Sequence, residues 1–241
     1  MTDILKYEII PDDAYTQRLY DKVVGDMRND LPRNATHLSD LYTCLLKAWG
    51  KKHIDKAEWV GGGDESEGGD PLLMWSQGLQ FEHLVSEGDR QRVQAYCFKC
   101  RAVSYPIRNP DTTEQATCPV CQQRWLIGTP DYIVEGVIHE AKQTRKSQRQ
   151  GPAGAPWWIE QLAGYILFQR HSGMPDADWG RIVANWLMGD YGSRKKGVRP
   201  RPPRSALAAY QIRFTSDMDW DEWESELLRR KGIVEGDVRP E

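Results

Sequence analysis

The stretch GTPDYIVEGVIHEAKQT, residues 128–144, decides the fold of the middle of the chain. If Glu135-Gly136 is a two-residue turn, the residues on its two sides form paired strands whose side chains alternate between two faces. We therefore predict a hairpin with strands 129–134 and 137–142. This turn fixes four cross-strand pairs, which are Val134 with Val137, Ile133 with Ile138, Tyr132 with His139, and Asp131 with Glu140.

Two acids and one amine fall on one face of the predicted hairpin. Because side chains alternate along a strand, Asp131 and Glu140 share a face with Ile133 and Ile138, and Lys142 lies two residues further on. Two carboxylates about 5 Å apart repel by roughly 3 kcal/mol at an effective dielectric constant of about 20. Such a pair needs a cation, and carboxylate oxygens suit Mg²⁺ or Mn²⁺. The alternative is an exposed hairpin that carries a surface Glu–Lys ion pair.

A helix after the hairpin offers two polar side chains to the same region. The sequence PWWIEQLAGYILFQ predicts a helix over residues 157–170. Gln161 and Tyr165 are four residues apart and therefore share one helix face. Because a buried Gln is costly without a hydrogen-bond partner, this pair on an otherwise apolar helix indicates a polar site.

A helix before the hairpin offers one more ligand. Asp70 and Pro71 predict a helix start, and the helix runs to about residue 87. Glu82 lies one turn after Gly78, a residue that lets another backbone approach. His83 is the neighbouring candidate, but it lies about 100° around the helix from Glu82, so we expect only one of them to reach the site.

Four of the five cysteines have the spacing of a zinc ribbon. Two Cys-x-x-Cys pairs are separated by 17 residues, and their members are Cys97, Cys100, Cys118 and Cys121. The intervening segment has too few apolar residues for a core, so a metal ion must stabilise it. We predict a structural Zn²⁺ in a module covering residues 95–124. Iron in the same thiolate cage is the main competitor, and two disulfides would be unusual in a cytosolic chain.

In this order, the motifs resemble the PD-(D/E)XK nuclease superfamily, in its RecB-like branch of phage exonucleases and CRISPR-adaptation nucleases. The matching motifs are Gly78 with Glu82 or His83, Gly128-Thr129-Pro130-Asp131, Glu140-Ala141-Lys142, and Gln161 with Tyr165. The resemblance covers residues 37–230 apart from the ribbon. It implies an α/β (α+β) fold with a restriction-endonuclease-like core, in which helices flank a mixed central sheet. Residues 1–241 would then form a single domain with an inserted four-cysteine zinc ribbon.

The resemblance also implies a role for each matching residue. Asp131, Glu140 and Glu82 would bind one or two catalytic Mg²⁺ or Mn²⁺ ions, with the carbonyl of Ala141 as a further ligand. Lys142 would position the attacking water or stabilise the transition state. The implied activity is a metal-dependent deoxyribonuclease, most simply an exonuclease of replication, recombination or repair in a prokaryotic or phage-infected cell.

DNA binding is expected from the same resemblance and from local charge. Gln161 and Tyr165 would line the DNA channel and orient Lys142. The net charge is −3, but two stretches are basic and free of acids. Their candidate phosphate-binding residues are Arg145, Lys146, Arg149, Arg194, Lys195, Lys196, Arg199 and Arg201. Trp157 and Trp158 either stack on unpaired bases or belong to the core. The ribbon either shapes the path of the DNA or acts as a structural staple.

Composition excludes some classes of protein and leaves two alternatives open. With 39% hydrophobic and 28% charged residues the chain is not disordered throughout. No apolar run approaches the roughly 18 residues of a membrane span, and the N-terminus does not read as a signal peptide, so we expect a cytoplasmic protein with no membrane partner. One alternative is a non-catalytic nucleic-acid-binding protein. The other is a partner-recruiting subunit of a recombination or repair complex that docks through Trp220 and Trp223.

Patterns elsewhere in the chain complete the predicted elements. These are helices over residues 11–30 and 39–49, strands over 181–188 and 208–215, and a last helix with Trp220, Trp223 and Leu227 on one face.

Overall fold

The computed structural model describes residues 4–20, 36–37, 81–82, 85–86, 89–90, 94–104, 117–146, 148–187 and 206–236. Several predictions concern residues outside these ranges, namely the helix over 39–49, most of the helix over 70–87 with His83, and the basic residues Arg194, Lys195, Lys196, Arg199 and Arg201.

The described elements are ten strands, three α-helices and one 3₁₀ segment. The strands are β1 (Tyr7–Pro11), β2 (Thr36–His37), β3 (Asp89–Arg90), β4 (Gln94–Cys97), β5 (Ala102–Ser104), β6 (Leu126–Gly128), β7 (Tyr132–Val134), β8 (Val137–Thr144), β9 (Trp179–Trp186) and β10 (Ala206–Phe214). The helices are α1 (Asp13–Tyr20), α2 (Pro156–His171) and α3 (Trp220–Glu235), and a 3₁₀ segment, Gln148–Gly154, precedes α2. Phe81, Glu82 and Val85 are also helical.

The main sheet is mixed, and α2 crosses over it. Within the described ranges its strand order is β1-β10-β9-β8-β7-β3. β8 and β9 are parallel, and the other neighbouring pairs are antiparallel. A second sheet has the order β2-β6-β4-β5 and contains the strands of the cysteine module. The expected class, a mixed α/β fold with helices against a mixed sheet, is therefore confirmed at this level.

The hairpin of β7 and β8 has the predicted turn and register. Glu135 and Gly136 have φ values of 52° and 79°, the two positive values that a type I′ turn requires. Three of the predicted pairs form the ladder, and they are Tyr132 with His139, Ile133 with Ile138, and Val134 with Val137. β8 continues to Thr144, two residues beyond its predicted end.

Helix α2 forms the centre of the main core. It is apolar on nearly all sides because it contacts β8 and β9 on one side and α3 and β5 elsewhere. Ile159, Leu162 and Ile166 are fully buried in the cluster that also contains Ile138 and Trp186. A helix that is covered in this way holds its few polar side chains in fixed positions on the sheet.

The predicted helix over residues 11–30 begins later than expected, because the chain first forms a strand. Tyr7–Pro11 pairs with β10 at the edge of the sheet, where Pro11 can be tolerated although it has no N–H group to donate. Asp12 then caps α1, since its carboxylate accepts a hydrogen bond from the Tyr15 amide at 3.0 Å. The part of this prediction beyond residue 20 lies outside the described residues.

The predicted docking face on the last helix is wrong. Trp223 is fully buried in the core. Trp220 is partly buried, with its ring centroid 5.3 Å from that of Phe214 and 5.0 Å from the Arg170 guanidinium carbon. These tryptophans therefore attach α3 to the sheet and to α2.

None of the helices in the described ranges combines the length and the apolar character that a membrane span requires.

Candidate active site and candidate metal centre

The candidate active site lies where the chain passes from the second sheet into the main sheet. Thr129, Pro130 and Asp131 connect β6 with β7. A Cβ atom on Gly128 would lie 2.8 Å from Phe168 Cε2 and 3.0 Å from Tyr165 Cε1. Only glycine therefore lets α2 approach this junction so closely, and the approach places the tyrosine over the backbone of the connecting loop.

Asp131, Glu140 and Lys142 converge at this junction. The Lys142 ammonium donates a hydrogen bond to Glu140 Oε1. Asp131 lies one residue before β7, outside the ladder, and its Oδ2 accepts a hydrogen bond from the Ala141 amide at 2.6 Å. Glu140 is 1% exposed, and its Oε2 is buried with no hydrogen-bond partner among the described residues. An uncompensated buried carboxylate oxygen leaves a place that a cation would fill.

The electrostatics of these three groups follow from burial and like charge. Burial raises the pKa of Asp131 to about 7, and the Glu82 carboxylate adds to this rise. Burial likewise raises the pKa of Glu140 to about 8, with a further contribution from Asp131. Burial opposes the charge of Lys142, but the carboxylates of Glu140, Asp131 and Glu82 outweigh it, so the pKa of the amine is raised. The lysine is therefore an ammonium at neutral pH.

Glu82 belongs to the same group of charges. Its carboxylate acts on the pKa values of both Asp131 and Lys142, which requires proximity to both. Phe81 and Val85 of the same helical segment are buried in a cluster with Tyr132. Packing of these two apolar residues thus holds Glu82 near the hairpin.

A hydrogen-bond chain joins the lysine to α2. Gln161 Oε1 accepts from Lys142 Nζ at 3.0 Å, and Gln161 Nε2 donates to the Tyr165 hydroxyl at 2.9 Å. The hydroxyl in turn donates to the Thr129 carbonyl at 3.0 Å. Both predicted residues of α2 therefore contact the site, and the chain fixes the direction from which the ammonium approaches Glu140.

One positioning residue on α2 was missed by sequence reasoning. Gln169 Nε2 donates to the Gly136 carbonyl at 2.7 Å, so it attaches the hairpin turn to the helix. Gln169 lies four residues after Tyr165 on the same helix face. The spacing that indicated Gln161 and Tyr165 would have indicated it too.

The opposite face of β8 carries a buried polar cluster. His139 is fully buried, and its ring lies between those of Tyr132 and Tyr15, with centroid distances of 4.6 and 5.1 Å. The Arg181 guanidinium donates to His139 Nε2 at 3.1 Å and to Asp12 Oδ2 at 2.7 Å. This cluster joins β8, β9 and the start of α1, so it stabilises the strand that carries Glu140 on the face opposite the candidate site.

Three of the predicted basic residues follow β8 directly. Arg145, Lys146 and Arg149 are exposed. Lys146 Nζ lies 2.8 Å from the Gly154 carbonyl oxygen and 4.0 Å from the centroid of the Trp157 ring. Trp158 belongs to the core, which decides between the two predictions made for it.

The four cysteines of the predicted ribbon form a candidate metal centre. Their sulfur atoms all lie within 4.8 Å of one another. Cys97 Sγ is 3.4 Å from Cys121 Sγ, and Cys118 Sγ is 4.0 Å from Cys100 Sγ. Four sulfurs placed tetrahedrally about 2.3 Å from one ion would be about 3.8 Å apart. These four cysteines form no disulfide, and the cluster could hold a metal ion such as zinc.

The two Cys-x-x-Cys turns share one backbone feature. The residue after each pair, Arg101 or Gln122, has a positive φ, 49° and 60° respectively. The Gln123 amide holds the pKa of Cys121 at about 7, below its usual value. The sulfur atoms of the two turns converge on one point.

The cysteine module is packed against the rest of the protein. Tyr96 of β4 stacks on Phe168 of α2 at 5.2 Å between centroids, and its hydroxyl donates to Glu224 of α3. Arg101 forms salt bridges with Asp221 at 2.8 Å and with Glu224 at 2.9 Å. The module therefore contacts both long helices.

Comparison with known proteins gives no match, whether with family models, with curated proteins or with solved structures.

Proposed function

We propose that the chain is a metal-dependent DNA nuclease with a restriction-endonuclease-like core of the PD-(D/E)XK type. One observation carries the proposal: Glu140 is fully buried, one of its oxygens contacts the Lys142 ammonium, and the other has no hydrogen-bond partner among the described residues. Asp131 lies beside it, so two acids and one amine meet at this junction. A purely structural ion pair does not need the second acid.

The donor atoms suit a hard divalent cation. Asp131, Glu140 and Glu82 offer carboxylate oxygens, which favour Mg²⁺ or Mn²⁺ over softer metals. The raised pKa values of Asp131 and Glu140 are what carboxylates show when a compensating cation is absent. The Ala141 amide points to Asp131, and the amide and carbonyl of a strand residue face the same side. The Ala141 carbonyl is therefore available on that side as well.

Each residue of the site would have a separate role in phosphodiester hydrolysis. A bound divalent ion supplies a Lewis acid that polarises the phosphate and lowers the pKa of a water molecule. Lys142, held between Glu140 and Gln161, presents a fixed positive charge to the transferring phosphate, where negative charge develops. Tyr165 and Thr129 keep Gln161 in this orientation. The ammonium is thus in place before the reaction begins.

The surroundings of the site fit a polyanionic substrate. Arg145, Lys146 and Arg149 are exposed where β8 leaves the site, and they can bind phosphates without reading sequence. The chain as a whole is mildly acidic. Attraction to DNA would therefore be local to this region and sensitive to salt.

For the cysteine cluster we propose a structural Zn²⁺. All four tetrahedral positions would be filled by protein sulfurs, which leaves no open position for catalysis. The contacts of Tyr96 and Arg101 with α2 and α3 give this ion a role in the stability of the protein.

Cleavage of end-labelled DNA tests the nuclease proposal. Linear and circular substrates, each single- and double-stranded, are incubated with and without Mn²⁺, so that the assay also separates exonuclease from endonuclease action. Asp131→Ala and Lys142→Ala should each lower the rate at least about 100-fold, the loss expected when a group that stabilises the transition-state charge is removed. Lys6→Ala, which changes an exposed lysine outside the site, is the matched control.

Wild-type rates in either site variant, with circular dichroism showing an intact fold, would contradict the assignment. DNA binding without any cleavage by the wild-type protein would favour the non-catalytic alternative.

A further inference from the structure

Trp157 is a large aromatic side chain left exposed next to the candidate site. It is 39% exposed, whereas its neighbour Trp158 is 5% exposed and packs against Trp186. Among the exposed large apolar side chains in the described part of the chain, it is the aromatic one. Exposure of an indole costs apolar burial, so its position needs a reason.

Trp157 continues the row of polar residues on α2. Trp157, Gln161 and Tyr165 are four residues apart and share one helix face. With a rise of 1.5 Å per residue, the backbone of Trp157 lies about 6 Å along the helix axis from that of Gln161. Because Gln161 contacts Lys142, the backbone of Trp157 is about one helical turn from the residue that holds the ammonium in place.

The Trp157 ring contacts Trp158 on one side and the Lys146 ammonium on another. It meets Trp158 edge-on, with centroids 6.5 Å apart and an interplanar angle of 80°, which fixes it to the core. The Lys146 ammonium lies 4.0 Å from its centroid, and this lysine is also held by the Gly154 carbonyl. An exposed, rigid indole beside a cation is suited to a group with a flat aromatic part and a negative charge, which describes a nucleotide.

We propose that Trp157 is a stacking platform for an unpaired base of the DNA strand being cut, with Lys146 binding a phosphate of the same strand. The proposal rests on the proposed nuclease function and names its substrate class. A base inside a duplex has both faces covered by its neighbours, so the indole can take only an unpaired base or the outer face of a terminal base pair. The site therefore favours single-stranded DNA, which offers an unpaired base at every position, over a duplex, which offers an open face only at its ends. Because every base has a π-face, the contact does not select a sequence.

Variants of Trp157 test the proposal through a ratio of two rates. In Mn²⁺, kcat/KM is measured on a single-stranded oligonucleotide and on a blunt duplex of the same sequence. Trp157→Ala should lower the ratio of the first to the second about tenfold, which lies within the range of loss for one stacked base. Trp157→Leu keeps apolar bulk against Trp158 but has no π-face, so it should show the same loss. Trp157→Phe should stay within about threefold of wild type, and Met174→Ala, an exposed apolar control, should leave both rates unchanged.

Binding supplies a readout that does not depend on cleavage. Single-stranded DNA with 2-aminopurine at successive positions is added to the full chain in Ca²⁺, and quenching at one position is expected for wild type and Trp157→Phe but not for Trp157→Leu. Trp157-dependent quenching without cleavage in Mn²⁺ would contradict the nuclease function but support the stacking role of Trp157. Cleavage with an unchanged ratio of the two rates in Trp157→Leu, or an equal loss of this ratio in Trp157→Phe, would contradict the stacking role but leave the nuclease function supported. Absence of both binding and cleavage would overturn both.

Discussion

The two carboxylate oxygens of Glu140 lie in different surroundings. One accepts a hydrogen bond from Lys142, while the other is buried without a hydrogen-bond partner in the described part of the chain. A carboxylate in this position is stable when it is protonated or when a cation lies beside it. From the surroundings of Glu140 we therefore predict both metal binding and a dependence of the protein's stability on pH.

In the absence of a divalent ion, we expect the fold to lose stability as the pH rises from about 5 to 8. The folded-state pKa values of Asp131 and Glu140, about 7 and about 8, lie above those of an unfolded chain. The folded state therefore holds more protons in this range, and the free energy of unfolding falls as they are lost. Urea denaturation at several pH values, with the zinc left in place, measures this slope.

Other groups titrate in the same pH range as Glu140. The variant Glu140→Gln therefore serves to isolate the contribution of Glu140 to the pH dependence of stability. The pKa of His171 is lowered by burial, which gives stability an opposite slope near pH 6. Subtracting the curve of the variant removes such contributions, and the difference should shrink when Mn²⁺ is added at pH 8. Parallel curves for wild type and variant would show that Glu140 does not titrate as described.

Among the elements, the hairpin and α2 were predictable and the first strand was not. β7 and β8 flank the two-residue turn Glu135-Gly136, and α2 is a long apolar run with Pro156 at its start, so the local sequence is sufficient. β9 and β10 begin two residues earlier than the sequence indicated. β1 is short and ends in proline, and it becomes a strand only because β10 pairs with it.

The residues of the candidate site likewise include some that the sequence predicted and some that it did not. Asp131, Glu140 and Lys142 lie on one hairpin, so the alternation of a strand brings them together without knowledge of the fold. Asp12, which supports the strand from behind through Arg181, is separated from it by more than a hundred residues. Contacts of that kind follow from tertiary packing, and no local pattern predicts them.

The contact between α2 and the connecting loop predicts opposite effects for two glycine substitutions. In Gly128→Ala the new Cβ would collide with Phe168 and Tyr165, so we expect a loss of about 1–3 kcal/mol in the free energy of unfolding, and reduced DNA cleavage. In Gly232→Ala nothing lies within 4 Å of the new Cβ on α3, and we expect a gain of about 0.5–1 kcal/mol. Urea denaturation compares the two. Equal effects would mean that α2 does not approach Gly128 as closely as the structure indicates.

Across the full chain, the cysteine module and the helices depend on each other. Tyr96 packs on Phe168, and Arg101 binds Asp221 and Glu224, so collapse of the module would remove contacts from both α2 and α3. The spacing of the two Cys-x-x-Cys pairs predicted the metal centre. No sequence pattern predicted the contacts of the module with the helices.

Elemental analysis should find about one zinc per chain. Cys118→Ser should lose the ion, and its melting temperature should fall by at least about 10 °C, because structural zinc contributes on the order of 10 kcal/mol in small zinc-binding domains. Cys44→Ser, which changes the fifth cysteine, should keep the zinc. Iron with a visible absorption band, or full zinc content in Cys118→Ser, would contradict this assignment.

Anomalous diffraction from crystals soaked in Mn²⁺ addresses the convergence of Asp131, Glu140 and Lys142 most directly. We predict a manganese peak about 2 Å from carboxylate oxygens of Asp131 and Glu140, with Glu82 beside it and the Lys142 ammonium next to the ion but not bound to it. A map with no peak at this junction, and with the two carboxylates turned away from each other, would contradict the account.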